Sequence, residues 1–161
     1  MFQIRNVVLL TASIFKKMNK LSILIPVFNE GNTIHLILDK IKNVTLPLNI
    51  SKEIIIINDC STDKTSENIK SYILKNQELS ILLLEHDKNK GKGAALHYGI
   101  YKASGDYLII QDADLEYDPE EYNILLKPVL DGYADVVYGS RFIGGKPHRI
   151  LFFWHTVGNK F

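Results

Sequence analysis

Asp112 and Asp114 flank a single alanine directly behind the apolar run Tyr107–Gln111, and Glu116 follows two residues later. Carboxylates this close repel one another unless a cation or a proton relieves them. A hard divalent ion, Mg²⁺ or Mn²⁺, suits carboxylate oxygens. Such an ion commonly bridges phosphate oxygens and neutralises the charge on a leaving diphosphate. A turn behind the run would present both aspartates to one ligand. Alone, the pattern is weak, because aspartate is a common turn former and a turn or capping role accounts for a lone D-x-D equally well.

Other groups need the same weighing. Lys92, in Gly91-Lys92-Gly93, could pair with a phosphate, or could be an ordinary solvated lysine. Arg141, in Gly139-Ser140-Arg141, could bind a diphosphate bidentately, or could be an exposed structural arginine. Neither glycine cluster is a dinucleotide fingerprint or a P-loop: Gly91–Gly93 lacks the G-x-G-x-x-G spacing, and Gly145 stands where a Walker lysine belongs. This weakens NAD-dependent dehydrogenase and P-loop NTPase readings. The five histidines show no metal-ligand spacing, and no G-x-S-x-G elbow occurs. Cys60 reads as a small buried residue. Phe152, Phe153 and Trp154 read as core or a covered interface; exposed, they would mark a membrane or partner site.

Holding these groups together requires a scaffold, and the chain alternates strand-like and helix-like segments. Leu21–Phe28 is an apolar run closed by Asn29-Glu30-Gly31. Apolar residues then fall at 34, 37, 38 and 41, one face of a helix. Glu53–Asn58 contains four consecutive isoleucines, a strand covered on both faces as in a parallel sheet. Asp59–Asp63 is rich in helix-capping types, and helical spacing continues through Ile69, Tyr72 and Ile73. Ser80–Glu85 reads as a third buried strand, Ala94–Ala103 as a helix, and Tyr107–Gln111 as a fourth strand. Asp118-Pro119-Glu120-Glu121 is a helix start, Pro128 should kink or end that helix, and Ala134–Tyr138 reads as a fifth strand. This alternation argues for βαβ units around a parallel sheet. In such sheets ligands bind beyond the carboxyl ends of the strands, where Glu30, Asp59, Lys92, Asp112, Asp114 and Arg141 all fall.

The bulk properties set the limits. The 161 residues suffice for one domain with a real core, and 19 basic against 18 acidic residues leave a net charge of +1. This balance excludes a broad electrostatic nucleic-acid binder. A single cysteine excludes a disulfide framework or a zinc cluster. The apolar stretch Val7–Phe15 is broken by Thr11 and Ser13 and falls far short of the roughly 20 residues a membrane span needs. Lys16, Lys17 and Lys20 follow it with no small-residue cleavage site. Residues 1–17 are read as an extension outside the domain, with a membrane-surface anchor or a packed terminal helix as alternatives, and residues 18–161 as the domain.

Pro26-Val-Phe-Asn-Glu30, Ile57-Asn-Asp59-Cys-Ser-Thr-Asp63, Asn89-Lys-Gly-Lys-Gly-Ala-Ala95, Asp112-Ala-Asp114-Leu-Glu-Tyr-Asp-Pro119 and Gly139-Ser-Arg-Phe142 stand in this order. Together they resemble family 2 glycosyltransferases, and most of all their polyprenol-phosphate (dolichol-phosphate) mannosyl- and glucosyltransferase branch. The resemblance runs from about Leu21 to the end, and it implies a GT-A fold: α/β, Rossmann-like, a mostly parallel sheet with helices on both faces.

It further implies a nucleotide-sugar donor, UDP- or GDP-hexose, and a lipid-linked phosphate acceptor at the cytoplasmic face of a membrane. By the same resemblance Pro26, Phe28 and Glu30 line the nucleotide site and Asp59 bonds the base. Lys92, Asp112, Ala113 and Asp114 belong to the same donor site. Asp112 and Asp114 hold the metal and diphosphate, with Glu116 as a further ligand. Arg141 meets the donor phosphates, and Arg149 matches more loosely an arginine at the acceptor phosphate. Phe28 replaces a frequent tyrosine and keeps its stacking surface. The family's domain continues beyond this length, so the sequence reads as the donor half with the acceptor half largely missing. The rival readings are a sugar-nucleotide nucleotidyltransferase, which would call for a glycine-rich basic loop where Asn29-Glu30 stands, and an inert nucleotide-binding fragment.

Overall fold

The computed structural model describes residues 19–139. Four parallel strands, β1 (Lys20–Val27), β2 (Ser51–Asn58), β3 (Ile81–Glu85) and β4 (Tyr107–Ile110), form one sheet in the order β3-β2-β1-β4. The chain lays down β1, β2 and β3 in one direction, then crosses back to place β4 on the other side of β1. This reversal opens a crevice between β1 and β4 at their carboxyl ends.

Alternation along the strands sorts the core into two layers. Leu21, Ile23, Ile25 and Val27 of β1, with Ile54 and Ile56 of β2, face α1 (Ile34–Asn43), α2 (Thr65–Lys75) and α4 (Tyr122–Leu130). Leu24, Ile55 and Ile57 face α3 (Lys92–Lys102) through Ala95 and Leu96. The expected helix face, Ile34, Ile37, Leu38 and Ile41, is fully buried. The Lys52 ammonium donates to the carbonyls of Ile41, Lys42 and Val44, which α1 leaves unpaired at its end.

Several expectations are corrected. Among the described residues β3 and β4 each pair on one side only, and the Ser80–Glu85 run is not buried on both faces: Leu82 is exposed, as are Leu108 and Ile110 of β4. Ala134–Tyr138 forms no strand; Val136 and Tyr138 lie exposed, and β-propensity without a ladder partner does not make a strand. Asp118 accepts the Glu120 N–H as a cap, but a 3₁₀ turn (Pro119–Glu121) precedes α4. α4 continues through Pro128, which lacks the N–H that would bond the Ile124 carbonyl, and ends two residues later at Leu130. The chain then closes back through Gly132 at φ 75° and the Tyr133 N–H, which donates to the Pro128 carbonyl at 2.9 Å. Cys60 is half-buried rather than buried, in a left-handed conformation at φ 60°. Among the described residues no helix is long and apolar enough to cross a membrane. Residues 1–17, Arg141, Arg149 and Phe152–Trp154 lie outside the described residues.

At the opposite, amino-terminal edge, Ser22 is a buried polar residue inside β1. Its hydroxyl donates to Glu53 at 2.6 Å and accepts the Gly105 N–H at 2.9 Å. A Cβ at Gly105 would lie 2.6 Å from Ser22 Oγ and 2.7 Å from Ser22 N. Main chain cannot retreat as a flexible side chain can, so Gly105→Ala is expected to destabilise by about 2 kcal/mol in urea unfolding. An unchanged midpoint would contradict this packing.

Candidate active site

The crevice at the β1/β4 reversal is an open cleft of about 220 Å³. β1 and its following loop contribute Pro26, Val27, Phe28 and Glu30; the β2 end contributes Asp59; α3 contributes Lys92 and Ala95; and the segment after β4 contributes Asp112, Ala113 and Asp114. Enclosed ligand pockets usually hold about 300–1,000 Å³, so a nucleotide-sized ligand would project beyond these walls.

Three neighbouring loops are tied to one another before any ligand arrives. Asn29, at φ 56°, donates its N–H to Ser61 Oγ, and its side chain accepts the Thr62 N–H at 2.8 Å. Ser61 in turn donates to Asn58, whose amide donates to Glu85 at the end of β3. Asp63 accepts the Gly31 N–H with one oxygen and the Thr65 N–H with the other, which fixes the start of α2 against the β1 loop. These bonds hold the Asp63 carboxyl below the usual carboxylate range, the Thr65 hydroxyl contributing most. Within the β1 loop Thr33 donates its hydroxyl to the Glu30 carboxylate.

Asp59 is buried and heavily engaged. Its Oδ1 accepts from His86 Nδ1 at 2.6 Å and from the Lys90 N–H at 2.9 Å; its Oδ2 accepts the Gly91 N–H at 2.6 Å. Burial works to raise its pKa, but the His86 bond and the two backbone N–H groups outweigh it, leaving the carboxyl below its ordinary value. Each carboxylate oxygen offers about two acceptor sites, so one site on Oδ2 is left for a ligand. Asp59 therefore builds the cleft as much as it could read a base. His86 stacks on Tyr98 of α3 with centroids 5.6 Å apart. Sequence reasoning missed His86, Val27 and Ala95. Val27 and Ala95 lie within the motif segments but were not singled out; a lone histidine whose partner is 27 residues away carries no local signal.

The expected turn follows β4. Asp112 and Asp114, two apart, face the cleft, while the intervening Ala113 is also buried against the core and Leu115 packs on it. The turn, not strand alternation, brings both carboxylates to the cleft. Lys92 Nζ donates to Asp112 Oδ1 at 2.5 Å, and Asp114 Oδ1 accepts the Glu116 N–H at 3.0 Å. Leu115 takes φ 66°, a strained value for a branched side chain.

The donor set facing the cleft is oxygen throughout, which fits Mg²⁺ or Mn²⁺. Mg²⁺ is typically held by one or two carboxylates with substrate phosphates and waters completing the shell, and Asp112 and Asp114 supply such a pair. Glu116, expected as a third ligand, does not line the cleft and contributes its backbone N–H to the turn instead. Among the described residues no group of three or more His, Cys, Asp or Glu side chains is arranged to hold an ion unaided. Pro26, Phe28, Glu30, Asp59, Lys92, Asp112, Ala113 and Asp114 are thus brought to one cleft.

Known proteins resemble this chain. The chain is 34% identical over 139 residues to a dolichol-phosphate mannosyltransferase from Pyrococcus furiosus, covering 83% of this chain and 37% of that protein. It is 34% identical over 127 residues to the undecaprenyl-phosphate 4-deoxy-4-formamido-L-arabinose transferase of Photorhabdus laumondii, covering 79% of this chain and 38% of that one. The chain thus spans under two-fifths of the length of these relatives. Among solved structures, the mannosyltransferase PcManGT from Pyrobaculum calidifontis, in complex with GDP-Man and Mn²⁺, matches at a TM-score of 0.57 and 26% identity, over 62% of this chain and 28% of that one. Glucosyl-3-phosphoglycerate synthase from Mycobacterium tuberculosis shares the fold at a TM-score of 0.55, 23% identity, and 70% and 40% coverage. Residues 22–151 match the family described as Glycosyl transferase family 2, and with a parallel GT-A-type sheet carrying the family's motifs at one cleft, the chain belongs to that family.

Proposed function

We propose that the chain carries the donor-binding part of an enzyme that moves a hexose from a UDP- or GDP-sugar to a polyprenyl phosphate by a single inverting displacement. The observation that carries this reading is the convergence of eight motif residues, drawn from four separate segments, on the cleft at the sheet's reversal point. The matched dolichol-phosphate and undecaprenyl-phosphate transferases support the acceptor class. In this reading residues 18–161 form the donor-binding part, residues 1–17 lie outside it, and the enzyme meets its lipid substrate at the cytoplasmic membrane face.

The exposed ring of Phe28 and the free acceptor site of Asp59 would receive the nucleoside, and Glu30 would bond its sugar. Asp112 and Asp114 would hold Mg²⁺ or Mn²⁺, which when bound supplies positive charge against the departing diphosphate. Lys92, released from Asp112, would add a second positive charge there, and Arg141 a bidentate contact. Arg149 would meet the acceptor phosphate. That phosphate is anionic at neutral pH and attacks without a proton being removed, so the chemistry asks little of a general base.

Thermal-shift titration of the chain with UDP, GDP and NADH, each with and without Mn²⁺, tests this. A ligand at 100 times its dissociation constant stabilises by about 2.7 kcal/mol, and such a shift is expected with UDP or GDP only when Mn²⁺ is present. A shift with NADH alone would overturn the reading. Formation of a sugar nucleotide from NTP and sugar phosphate would replace it with a nucleotidyltransferase. Nucleotide binding without donor consumption would confine this chain to recognition.

A further inference from the structure

The segment that presents Asp112 and Asp114 is gripped from beneath by a side chain with no place in the motifs. Gln111 is 1% exposed, immediately after β4. Its Nε2 donates to the Asp112 carbonyl at 3.0 Å and to the Tyr117 carbonyl at 3.1 Å. Its Oε1 accepts the hydroxyl of Tyr122, itself 2% exposed, at 2.7 Å. The amide orientation is dictated by its surroundings: two carbonyls can face only the NH₂ group, and a hydroxyl must donate to the oxygen. One side chain thus clamps both ends of a turn of six residues and is itself anchored to the first residue of α4. The turn needs such a clamp. Leu115 at φ 66° is a conformation that persists only where the surroundings over-determine it, and the local Asp114–Glu116 bond spans only the turn's middle.

We propose that Gln111, locked by the Tyr122 hydroxyl, is a positioning residue that sets the direction of the Asp112 and Asp114 carboxylates and so the cleft's affinity for a divalent ion with a nucleoside diphosphate. This rests on the donor-site reading above. Outer-layer partners of metal ligands typically carry about 10–100-fold in metal affinity, and Gln111 touches the ligand-bearing backbone itself.

The test uses three variants of the full chain: Gln111→Met, Tyr122→Phe and the double variant. Tyr122→Phe leaves Gln111 Oε1 without its donor, whereas Gln111→Met takes the acceptor from the Tyr122 hydroxyl and the Gln111 donor from the Asp112 and Tyr117 carbonyls; each should lower stability. Replacing both partners with apolar groups removes the penalty of the broken Gln111–Tyr122 bond but not that of the two carbonyls, so the double variant should be more stable than the sum of the single changes predicts. A merely structural role predicts that ligand binding recovers with stability. The positioning role predicts that the double variant still binds Mn²⁺·UDP or Mn²⁺·GDP about 10-fold more weakly than the wild type. It also predicts faster amide exchange at residues 113–117, with exchange in the β1–β2 ladder unchanged. Wild-type Mn²⁺-dependent binding that persists undiminished in the double variant would overturn the positioning role alone. Absence of Mn²⁺-dependent nucleotide binding in the wild type would overturn the donor-site reading and this role with it.

Discussion

Asp114→Ala is expected to erase the Mn²⁺-dependent stabilisation by UDP or GDP, a loss of about 2.7 kcal/mol at a concentration 100 times the wild-type dissociation constant. The side chain is exposed at the cleft and accepts the Glu116 N–H within its own turn. The unliganded protein should therefore unfold within about 0.5 kcal/mol of the wild type, as surface substitutions do. Asp114→Asn separates two explanations. Asparagine keeps an oxygen to accept the Glu116 N–H and so preserves the turn, but removes the charge. If charge is what the ligand needs, the asparagine variant fails as completely as alanine; if turn shape is what matters, it recovers binding. The first result is expected, since of the two aspartates in the turn Asp112 already has the Lys92 ammonium at 2.5 Å, while among the described residues no lysine pairs with Asp114. A Mn²⁺-dependent shift retained in Asp114→Ala would remove this aspartate from the metal site.

The parts of this site that were legible in the sequence are those whose signal is local. Four isoleucines in a row read as a strand covered on both faces, and in β2, which like β1 has a strand on each side, all four are buried. The spacing of Ile34, Ile37, Leu38 and Ile41 encodes a buried helix face that needs no partner to be recognised. The motif residues were readable because most sit at or just beyond the end of a strand, and parallel strands deliver their carboxyl ends to one edge. What was hidden depends on pairing across the chain. Ser80–Glu85 and Tyr107–Gln111 look as buried as β2, yet edge position is decided by strand order, not by composition. Val136 and Val137 favour a strand that no ladder completes among the described residues. His86 and Gln111 are single polar residues at the ends of apolar runs; their roles come from Asp59 and Tyr122, distant partners that spacing does not reveal.

Asp59→Ala should be among the most destabilising substitutions at the cleft, by about 3–5 kcal/mol, the usual cost of breaking a buried, hydrogen-bonded charge. Three donors lose their acceptor at once: His86 Nδ1 and the N–H groups of Lys90 and Gly91. Gly91, at φ 84°, is the turn from which α3 starts, so the loss propagates to Lys92 and Ala95 on the cleft wall. Against a total stability of about 5–15 kcal/mol, a fall in melting temperature of about 10 °C is expected. The same carboxylate gives a pH signature. Its folded pKa lies below the ordinary value, so the unfolded chain binds its proton more readily than the folded one. The stabilisation is complete above the unfolded aspartate pKa of about 3.9 and is lost as pH falls through the lower folded value. Glu53, Asp63 and Glu85 are held low as well and act with the same sign. The acid limb of wild-type stability should therefore be steep, and in Asp59→Ala it should be shallower but still present. Melting curves between pH 6 and pH 3 read both effects together. A variant with the wild-type melting temperature and the wild-type acid slope would show that the His86–Asp59–Gly91 cluster does not hold the β2 and β3 loops together.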